Sequence, residues 1–438
     1  MGWAPQTGNK VVDRNGVWFK LAGEIGHGGE GIVFATEAEG AAVKIITSQN
    51  AVLRRPELEQ QLKRVARLAL DDLPVAMPRQ LLDGDVVGYT MNLLTGMTTL
   101  GSLTLPSLTS PFDELWYRES GGLSKRLSVI ETLGELIAGL HGRGLVYGDL
   151  SANNVLISES NDRSRVFLID LDNLRLSSDP KRKIWTPDYS APEQADDGAS
   201  QQTDLFSLAI IAFSVLCGNN PHYGETLDSL SPDQYQDSPF SSLVPWVDDM
   251  LDDSNRWTSG IDRSLVISPL LDRLLHRTFS DGRYKPDVRP SGSSFSVAAR
   301  RARYAVAKCQ NCDWENYINA GNCASCGTKV QSRIIRLSVL RDGSAYPHEI
   351  CPVVTLPATG GVSVSAAALG LNSRSDLEGV FIDSRRDILR LRIRHKDLKI
   401  LGGKDVQSAD ITSDKPVVIE RRTGESILFN VEEFGGSV

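Results

Sequence analysis

The alternation of apolar and polar positions divides the chain into three regions with different predicted structures. Residues 1–305 begin with strand-like segments and hairpin turns and then pass to helical periodicity. Residues 306–330 are rich in Cys, Asn and Gly and offer little material for a core of their own. Residues 331–438 alternate apolar and polar residues between Gly, Asp and Ser turns. This last pattern predicts an all-β domain.

The most regular helical pattern lies near the middle of the first region. Its apolar residues recur every three or four positions and predict a long amphipathic helix: Leu127, Ile130, Leu133, Leu136, Ile137 and Leu140. The pattern ends at Gly142 and Gly144, and a strand-like segment, 145–147, follows. Asp149 therefore falls on a loop just beyond a rigid helix, a place where catalytic groups are often held.

Length and charge narrow the class of protein. The 438 residues exceed what one compact core usually holds, so two or three domains are expected. A net charge of −8 without a dominant basic stripe disfavours nucleic acid as a partner. The longest apolar run, 205–218, has 14 residues, which is too few to span a membrane and predicts a buried core helix. The first residues show no signal-peptide pattern, so we expect a cytoplasmic protein.

A glycine-rich segment between two predicted strands is the first candidate for binding phosphate. Residues 26–33 read G-x-G-x-x-G-x-V, with strands expected at 18–24 and 32–36. Glycines let the backbone approach a phosphate closely and adopt positive φ. A dinucleotide site would instead require these glycines to open a helix, and Gly31 leads into a β-rich segment.

A lysine, Lys44, stands in the apolar segment Ala-Ala-Val-Lys-Ile-Ile that follows these strands. A lysine there should pair with an anion, because burying it unpaired is costly. A solvent-facing position at a sheet edge is the alternative that this segment alone leaves open.

Two acidic segments supply the remaining chemistry. Asp149 and Asn154 form a D-x-x-x-x-N pattern before an apolar strand, and Asp170 and Asp172 follow the next apolar strand. Phosphoryl transfer needs a carboxylate near the attacking hydroxyl and oxygen ligands for Mg²⁺. A loop Asp, an Asn five residues later and an Asp at a strand end provide both.

In order and spacing these motifs resemble those of eukaryotic-type (Hanks-type) bacterial serine/threonine protein kinases. The resemblance implies an α+β bilobal kinase fold, with an N-lobe at about 15–95 and a C-lobe at about 96–305. It makes Asp149 the catalytic aspartate, Asn154 and Asp170 the ligands of Mg²⁺ (or Mn²⁺), and Lys44 the residue that holds the α- and β-phosphates of ATP. The other ATP-contacting positions that it implies are Gly26, Gly28, Gly31, Val33, Ala42, Met91 and Leu93, the last two at the hinge that receives adenine.

The later motifs of the family follow in the same order. Residues 185–193 resemble the end of the activation segment, and 203–208 the start of the buried helix after it. Thr186 matches the hydroxyl that bonds the catalytic aspartate in serine/threonine-specific members. Glu193 and Arg289 would form a buried bidentate pair that ties the activation segment to the late helices.

The helix glutamate expected to pair with Lys44 is either Glu57 or Glu59. We favour Glu59, because Leu62, Val65 and Leu68 follow it at helical spacing and would set its face inward.

Departures from the family pattern carry their own predictions. Tyr147-Gly148 replaces the His-Arg that precedes the catalytic aspartate, so we predict activity without activation-loop phosphorylation. Ser151 replaces a lysine that helps to neutralise the γ-phosphate, and Lys181, Arg182 or Lys183 could substitute for it. Asp172 replaces a glycine, and we expect a solvated loop residue there, with a second metal-facing carboxylate as the alternative.

Four cysteines form two CxxC pairs separated by ten residues: Cys309, Cys312, Cys323 and Cys326. Four sulfurs in this pattern predict a closed tetrahedral Zn²⁺ site in a small zinc ribbon, 306–330, whose folding the metal would drive. A redox dithiol is the rival, but it would need only one CxxC on a βαβ frame.

The expected partner is a protein with Ser or Thr acceptors, without nucleic acid or membrane. Some bacterial kinases with similar catalytic loops and zinc ribbons work with a von Willebrand-type protein and a metal-dependent protein phosphatase, so the resemblance implies those partners. A nucleotide-sensing pseudokinase scaffold is the alternative function. Small-molecule phosphotransfer is disfavoured by Ala191-Pro192-Glu193 and Arg289. The role of 331–438 stays open among binding a phosphopeptide, a partner protein or the kinase itself.

Overall fold

The structure is a computed structural model of the chain. The described residues are 5–27, 31–47, 51–104, 112–159, 164–183, 185–235, 238–257, 260–341, 344–346, 350–357, 360–371, 377–385, 388–402, 407–412 and 415–434.

The N-lobe is an antiparallel sheet with one long helix, α1 (Ala51–Val65), beside it. Within the described ranges the strand order is β1-β2-β3-β4-β6-β5. Its strands are β1 (Lys10–Val12), β2 (Trp18–His27), β3 (Gly31–Thr36), β4 (Ala41–Ile46), β5 (Pro78–Leu81) and β6 (Gly88–Asn92). The β2–β3 hairpin is the one predicted around the glycine-rich segment, and β4 carries Lys44 at its centre.

The C-lobe is helical, and its core is built on two helices. They are α3 (Gly122–His141), which covers the predicted amphipathic helix, and α5 (Gln201–Cys217), which covers the predicted core helix. Nearly every residue of α5 is buried, which explains its uninterrupted apolar sequence. The other helices are α2 (Glu114–Glu119), α4 (Gln194–Asp197), α6 (Glu225–Ser229), α7 (Pro232–Tyr235), α8 (Phe240–Leu243), α9 (Arg263–Val266), α10 (Pro269–His276), α11 (Gly282–Tyr284) and α12 (Gly292–Tyr304).

Helices α3 and α12 pack closely because glycines meet at their crossing. A Cβ on Gly134 would lie 2.6 Å from the carbonyl oxygen of Gly292, so no larger residue fits there without moving a helix. A buried ion-pair network joins the same helices: Arg300 contacts Glu131 at 2.9 Å and Glu135 at 2.5 Å, and Arg303 contacts Glu131 at 2.9 Å.

Short strands between the lobes hold the loops that carry the candidate catalytic residues. They form two small antiparallel sheets, of order β10-β9-β7 and β11-β8 in the described part of the chain. The strands are β7 (Met97–Thr99), β8 (Leu145–Val146), β9 (Val155–Ser158), β10 (Val166–Leu168) and β11 (Arg175–Leu176).

The cysteine-rich segment packs directly on the C-lobe. Its hairpin consists of β12 (Val306–Lys308) and β13 (Glu315–Tyr317). Trp314 stacks on Tyr117 of α2 with ring centroids 5.5 Å apart, and the Tyr317 hydroxyl donates to the carbonyl of Val266 at 2.9 Å. Its buried residues belong to the same apolar core as α3 and α5, so the segment gains the core that its own sequence lacks.

The rest of the chain is all-β, as its alternating pattern predicted. Two antiparallel sheets enclose one apolar core in a sandwich. The strands are β14 (Ser332–Arg341), β15 (Ser344–Tyr346), β16 (Val353–Leu356), β17 (Gly360–Ser365), β18 (Glu378–Arg385), β19 (Ile388–Ile393), β20 (Leu398–Ile400), β21 (Ser408–Ile411), β22 (Val417–Arg421) and β23 (Ser426–Phe434). Across all the described residues, no helix combines the length and apolar character needed to cross a membrane.

Candidate active site

The first turn of α5 holds the loop that carries Asp149. The carboxylate of Asp204 accepts hydrogen bonds from the backbone N–H groups of Tyr147 and Gly148, each at 2.8 Å. Gly148 has φ of +89°, a conformation that L side chains rarely adopt. The glycine that replaces the family's arginine therefore suits the backbone turn that this loop makes.

Tyr147, in place of the family's histidine, links the catalytic loop to the strand end beside it. Its hydroxyl donates to the carbonyl of Ile169 at 2.5 Å, and the side chain is fully buried. Burial raises the pKa of Tyr147 well above its ordinary value, so the phenol stays protonated and remains a donor.

Asp149 contacts both of the residues that the sequence placed beside it. The Thr186 hydroxyl donates to Asp149 Oδ1 at 3.0 Å, and the Asn154 side-chain amide donates to the carbonyl oxygen of Asp149 at 2.9 Å. Because the Asn154 amide nitrogen is used in this way, its amide oxygen is the atom that can bind a metal ion. The same Asn154 nitrogen lies 3.3 Å from Asp149 Oδ2, so the Asn154 and Thr186 side chains meet at one carboxylate.

Asp170 lies at the end of β10 in the left-handed region, with φ of +57°. Such a conformation is uncommon for a non-glycine residue and is found at functional sites more often than elsewhere. Asp170 Oδ1 accepts a hydrogen bond from Lys44 Nζ at 2.6 Å. The next residue, Leu171, is buried in the C-lobe core, where it fills the position of the family's phenylalanine.

Two carboxylates surround the single ammonium group of Lys44. Burial raises the pKa of Asp170 to about 7, the charge of Asp172 adds to the rise, and Lys44 opposes it. Burial also acts to lower the pKa of Lys44, but the charges of Asp172 and Asp170 outweigh it and raise that pKa above its ordinary value. The site thus holds negative charge in excess, which a bound cation would relieve.

Asp172 is not the solvated loop residue that we predicted. Its side chain is 13% exposed and accepts from Lys44 Nζ at 2.8 Å and from the Tyr89 hydroxyl at 3.2 Å. The sequence could not reveal this, because Tyr89 and Lys44 come from strands more than eighty residues earlier.

The predicted pairing of Glu59 with Lys44 is wrong. Glu59 binds Arg14 at 2.8 Å and Lys63 at 2.7 Å, and its hydrogen bonds from Arg14 and then Lys63 lower its pKa to about 2. The buried positions of α1 are Gln61, Leu62 and Val65, so Glu59 projects sideways toward the loop that contains Arg14. Glu57, one turn before Gln61, lines a cleft together with Asp172 and Arg182.

The glycine-rich hairpin and the strand that leads to the hinge belong to the N-lobe sheet, although Gly28 lies outside the described residues. Gly26 and Val33 are register partners in the β2–β3 hairpin, and Gly31 leads into β3, where a Cβ would lie 2.2 Å from the Ile45 carbonyl oxygen. Ala42, which is buried, pairs in register with Met91 across β4 and β6.

The proposed hinge residue Leu93 donates its backbone N–H to the carbonyl of Gly40 at 2.9 Å. In this arrangement that amide cannot also donate to a base, so any Leu93 contact with adenine would involve its carbonyl or side chain.

Arg175 is a residue of the activation segment that the sequence analysis missed. It is buried and donates to the carbonyls of Pro180, at 3.2 Å, and of Ala199. Carbonyl partners leave no signature in a sequence, which is why the role of Arg175 was invisible. Of the basic residues proposed to replace the lysine at Ser151, Arg182 is the one that lines the cleft beside Asp172.

The Glu193–Arg289 pair is present and has bidentate geometry. Arg289 donates to the two oxygens of Glu193 at 2.6 and 2.9 Å, and its Nε donates to the carbonyl of Gly282 at 2.8 Å. The Arg289 side chain is fully buried, against 20% exposure for Glu193. This pair fixes the end of the activation segment to the late C-lobe helices.

The four cysteines converge away from the cleft. Their sulfur atoms all lie within 4.8 Å of one another, and the closest pairs, Cys309–Cys326 and Cys312–Cys323, are 3.6 Å apart. These separations are far longer than a disulfide bond of about 2.05 Å. The closest pairs also join one CxxC to the other, which favours a shared ion over two redox dithiols.

Comparison with known proteins agrees with this geometry. The family model of the protein kinase domain matches residues 114–283, which cover most of the C-lobe. The DNA damage-responsive serine/threonine-protein kinase of Deinococcus radiodurans is 26% identical over 226 residues, which make up 48% of this chain and 31% of that protein. A serine/threonine-protein kinase of Myxococcus xanthus is 28% identical over 222 residues, covering 47% of this chain and 25% of the relative.

Myosin light chain kinase A of Dictyostelium discoideum is 22% identical over 223 residues, covering 48% of this chain and 70% of that protein. The chain thus spans less than a third of the length of the two bacterial relatives. Residues 114–283 form part of a protein kinase domain, and the relatives support serine/threonine protein kinase activity.

Proposed function

We propose that this chain transfers the γ-phosphate of ATP to serine or threonine hydroxyls of a protein. The observation that carries the proposal is the set of contacts in which Thr186 and Asn154 donate to the two carboxylate oxygens of Asp149, together with the Lys44–Asp170 ion pair. A serine/threonine kinase needs these groups together, since catalysis of phosphoryl transfer is mainly positioning and electrostatic stabilisation.

Each residue then has a separate task. Asp149 orients the acceptor hydroxyl and accepts its proton, while Thr186 keeps one oxygen of the carboxylate in place. Lys44 holds the α- and β-phosphates. The amide oxygen of Asn154 and the carboxylate of Asp170 suit Mg²⁺ (or Mn²⁺), which prefers oxygen ligands. When bound, the ion neutralises charge on the phosphates.

Labelled ATP with Mg²⁺ tests the proposal directly. Wild-type protein should transfer label to itself or to a general protein acceptor, and Asp149→Ala should abolish the transfer. Asp196→Asn, an exposed change on α4, is the matched control and should retain activity. Transfer by neither wild type nor Asp149→Ala, with ATP still bound, would favour the nucleotide-sensing scaffold.

We also propose that the four cysteines bind a structural Zn²⁺ in a zinc ribbon. A tetrahedral ion with metal–sulfur bonds of about 2.3 Å needs sulfur atoms about 3.8 Å apart. The closest sulfur pairs, at 3.6 Å, fit that requirement without rearrangement.

Partnership with a von Willebrand-type protein and a metal-dependent phosphatase is a proposal that rests on the family resemblance. Co-purification with proteins of these two classes, lost on deletion of 331–438, would support it and assign the sandwich a docking role.

A further inference from the structure

We propose that Asp172 is the carboxylate that positions Lys44, a task that the family resemblance assigns to a glutamate of helix α1. The inference rests on the proposed kinase function and concerns how the same site orients its lysine. Asp172 occupies the position of the glycine in the family's Asp-Phe-Gly motif, so the partner has moved from the helix to the strand end.

The two carboxylates that contact Lys44 lie in different surroundings. Asp170 is 32% exposed and contacts one Lys44 hydrogen, whereas Asp172 is 13% exposed and contacts both Lys44 and Tyr89. Asp170 is therefore the one that can turn toward a metal ion. Asp172, held by Tyr89 on its other oxygen, stays to orient the ammonium group.

The helix glutamates do not fill this role. Among the described residues, the carboxylates within ion-pair distance of Lys44 are those of Asp170 and Asp172. Glu59 is bound to Arg14 and Lys63. The inner face of α1 instead presents Gln61, a neutral residue that donates to the carbonyl of Leu174 at 2.6 Å.

Placing the partner of Lys44 on the segment after β10 changes how α1 can act on the lysine. When a helix supplies the partner, rotation of the helix can switch the lysine on or off. Here both carboxylates belong to one short segment, 170–172, and Gln61 of α1 donates to the carbonyl of Leu171 in the same segment at 3.4 Å. Within the described part of α1, Lys44 is thus oriented without a charged contact to the helix.

Substitutions at Asp172 and Glu57 test the assignment. Asp172→Asn keeps the shape but removes the charge, and should lower kcat on the order of tenfold to a hundredfold, as expected for a lost charge-assisted hydrogen bond. Asp172→Glu should recover part of the loss. Glu57→Gln makes the matched change at the rival helix position. Glu59→Gln, at a residue that pairs with Arg14 and Lys63, is the control and should stay within about twofold of wild type. Thermal unfolding of each variant separates a folding defect from a catalytic one.

A double-mutant cycle with Lys44→Met identifies the partner. If Asp172 acts through Lys44, Asp172→Asn should change neither turnover nor ATP affinity once Lys44 is absent. If the two substitutions lower turnover independently, so that their fold-changes multiply, the inference is wrong. It is also wrong if Glu57→Gln lowers turnover strongly while Asp172→Asn does not. Recovery of Asp172→Asn activity at higher Mg²⁺ would likewise contradict it, because that result would make Asp172 a metal ligand.

The cycle also distinguishes the inference from the proposed function. If wild-type protein binds ATP but transfers no phosphate, the kinase proposal fails. Calorimetric ATP binding to the same four proteins still measures the coupling between Lys44 and Asp172.

Discussion

At the scale of single residues, the polar groups of this kinase domain are held by partners that limit their freedom. The Thr186 hydroxyl and the Asn154 amide donate to the two carboxylate oxygens of Asp149, and Asp204 holds the backbone just before it. Hydrogen bonds to both sides of a carboxylate reduce its reorientation when substrate arrives. Such preorganisation explains how a residue on a loop can keep its carboxylate in a fixed position when a helical scaffold supports the loop.

The Glu193–Arg289 ion pair is expected to stabilise the fold. Arg289→Ala should lower the free energy of unfolding by about 3–5 kcal/mol, because it leaves the Glu193 carboxylate and the Gly282 carbonyl without a donor. Arg289→Lys is the matched control: it keeps the charge but loses the bidentate fork, so it should remain destabilising by a smaller amount. Urea unfolding measures the free energy of unfolding of both variants. A decrease below about 1 kcal/mol in Arg289→Ala would mean that this pair stabilises the fold no more than a surface ion pair does.

At the scale of elements, the activation segment is held without a phosphate group. Arg175 on β11 donates to the carbonyls of Pro180 and Ala199, and Glu193 is clamped by Arg289. The segment is therefore fixed at both ends by contacts made inside the folded chain. An arginine at position 148, which in the family receives the activating phosphate, would have no such task here.

This arrangement predicts full activity after phosphatase treatment. The double variant Ser177→Ala, Ser178→Ala should phosphorylate substrate at a rate within about twofold of wild type. Both side chains are exposed, and neither is among the described contacts that hold the segment. Arg175→Ala, by contrast, should lower turnover because it releases the carbonyls at 180 and 199. Initial rates of label transfer provide the comparison. An inert dephosphorylated protein that regains activity on phosphorylation of Ser177, Ser178 or Thr186 would contradict the prediction.

Elements whose sequence pattern reflects one buried face were predictable. The helix at α3, the β2–β3 hairpin and the all-β region after 331 follow from periodicity alone, because burial of one face dictates the spacing of apolar residues. The partner of Lys44 was not predictable, because the choice between Glu59 and Asp172 depends on where α1 packs against the segment after β10. Arg175 escaped for a related reason: its partners are carbonyls, which every residue has.

At the scale of the whole molecule, the cysteine-rich segment contacts the kinase domain, and the kinase domain contacts the β-sandwich. Trp314 packs on Tyr117 of the C-lobe, and the Glu315 carboxylate accepts from the Ser124 N–H at 2.6 Å. On the other side, the Tyr304 hydroxyl at the end of α12 accepts from the Ser365 N–H of the sandwich at 2.8 Å. The cysteine-rich segment therefore packs on the kinase domain, and the sandwich contacts the C-terminal end of α12.

These contacts predict that metal removal weakens the kinase domain and not the ribbon alone. Cys309 and Cys323 are buried members of the C-lobe core, so loss of the proposed Zn²⁺ would loosen the packing of Trp314 and Tyr317 on α2 and α9. Chelation, or Cys323→Ser, should lower the thermal unfolding temperature of the whole chain and reduce label transfer in parallel. Purified protein should contain about one zinc per chain by atomic absorption.

Restoring zinc to the chelated wild type is the matched control for this experiment, and the unfolding temperature and the activity should return together. Cys323→Ser should not respond to added zinc, because three thiolates leave the tetrahedral site incomplete. A metal-free protein with the original unfolding temperature would show that packing alone holds 306–330. A protein that loses stability without losing activity would show that the segment is bound to the C-lobe but does not support the catalytic loop. The shared core of α2, α3 and the ribbon argues for the coupled outcome, since disturbance at Tyr117 reaches the helix from which the catalytic loop extends.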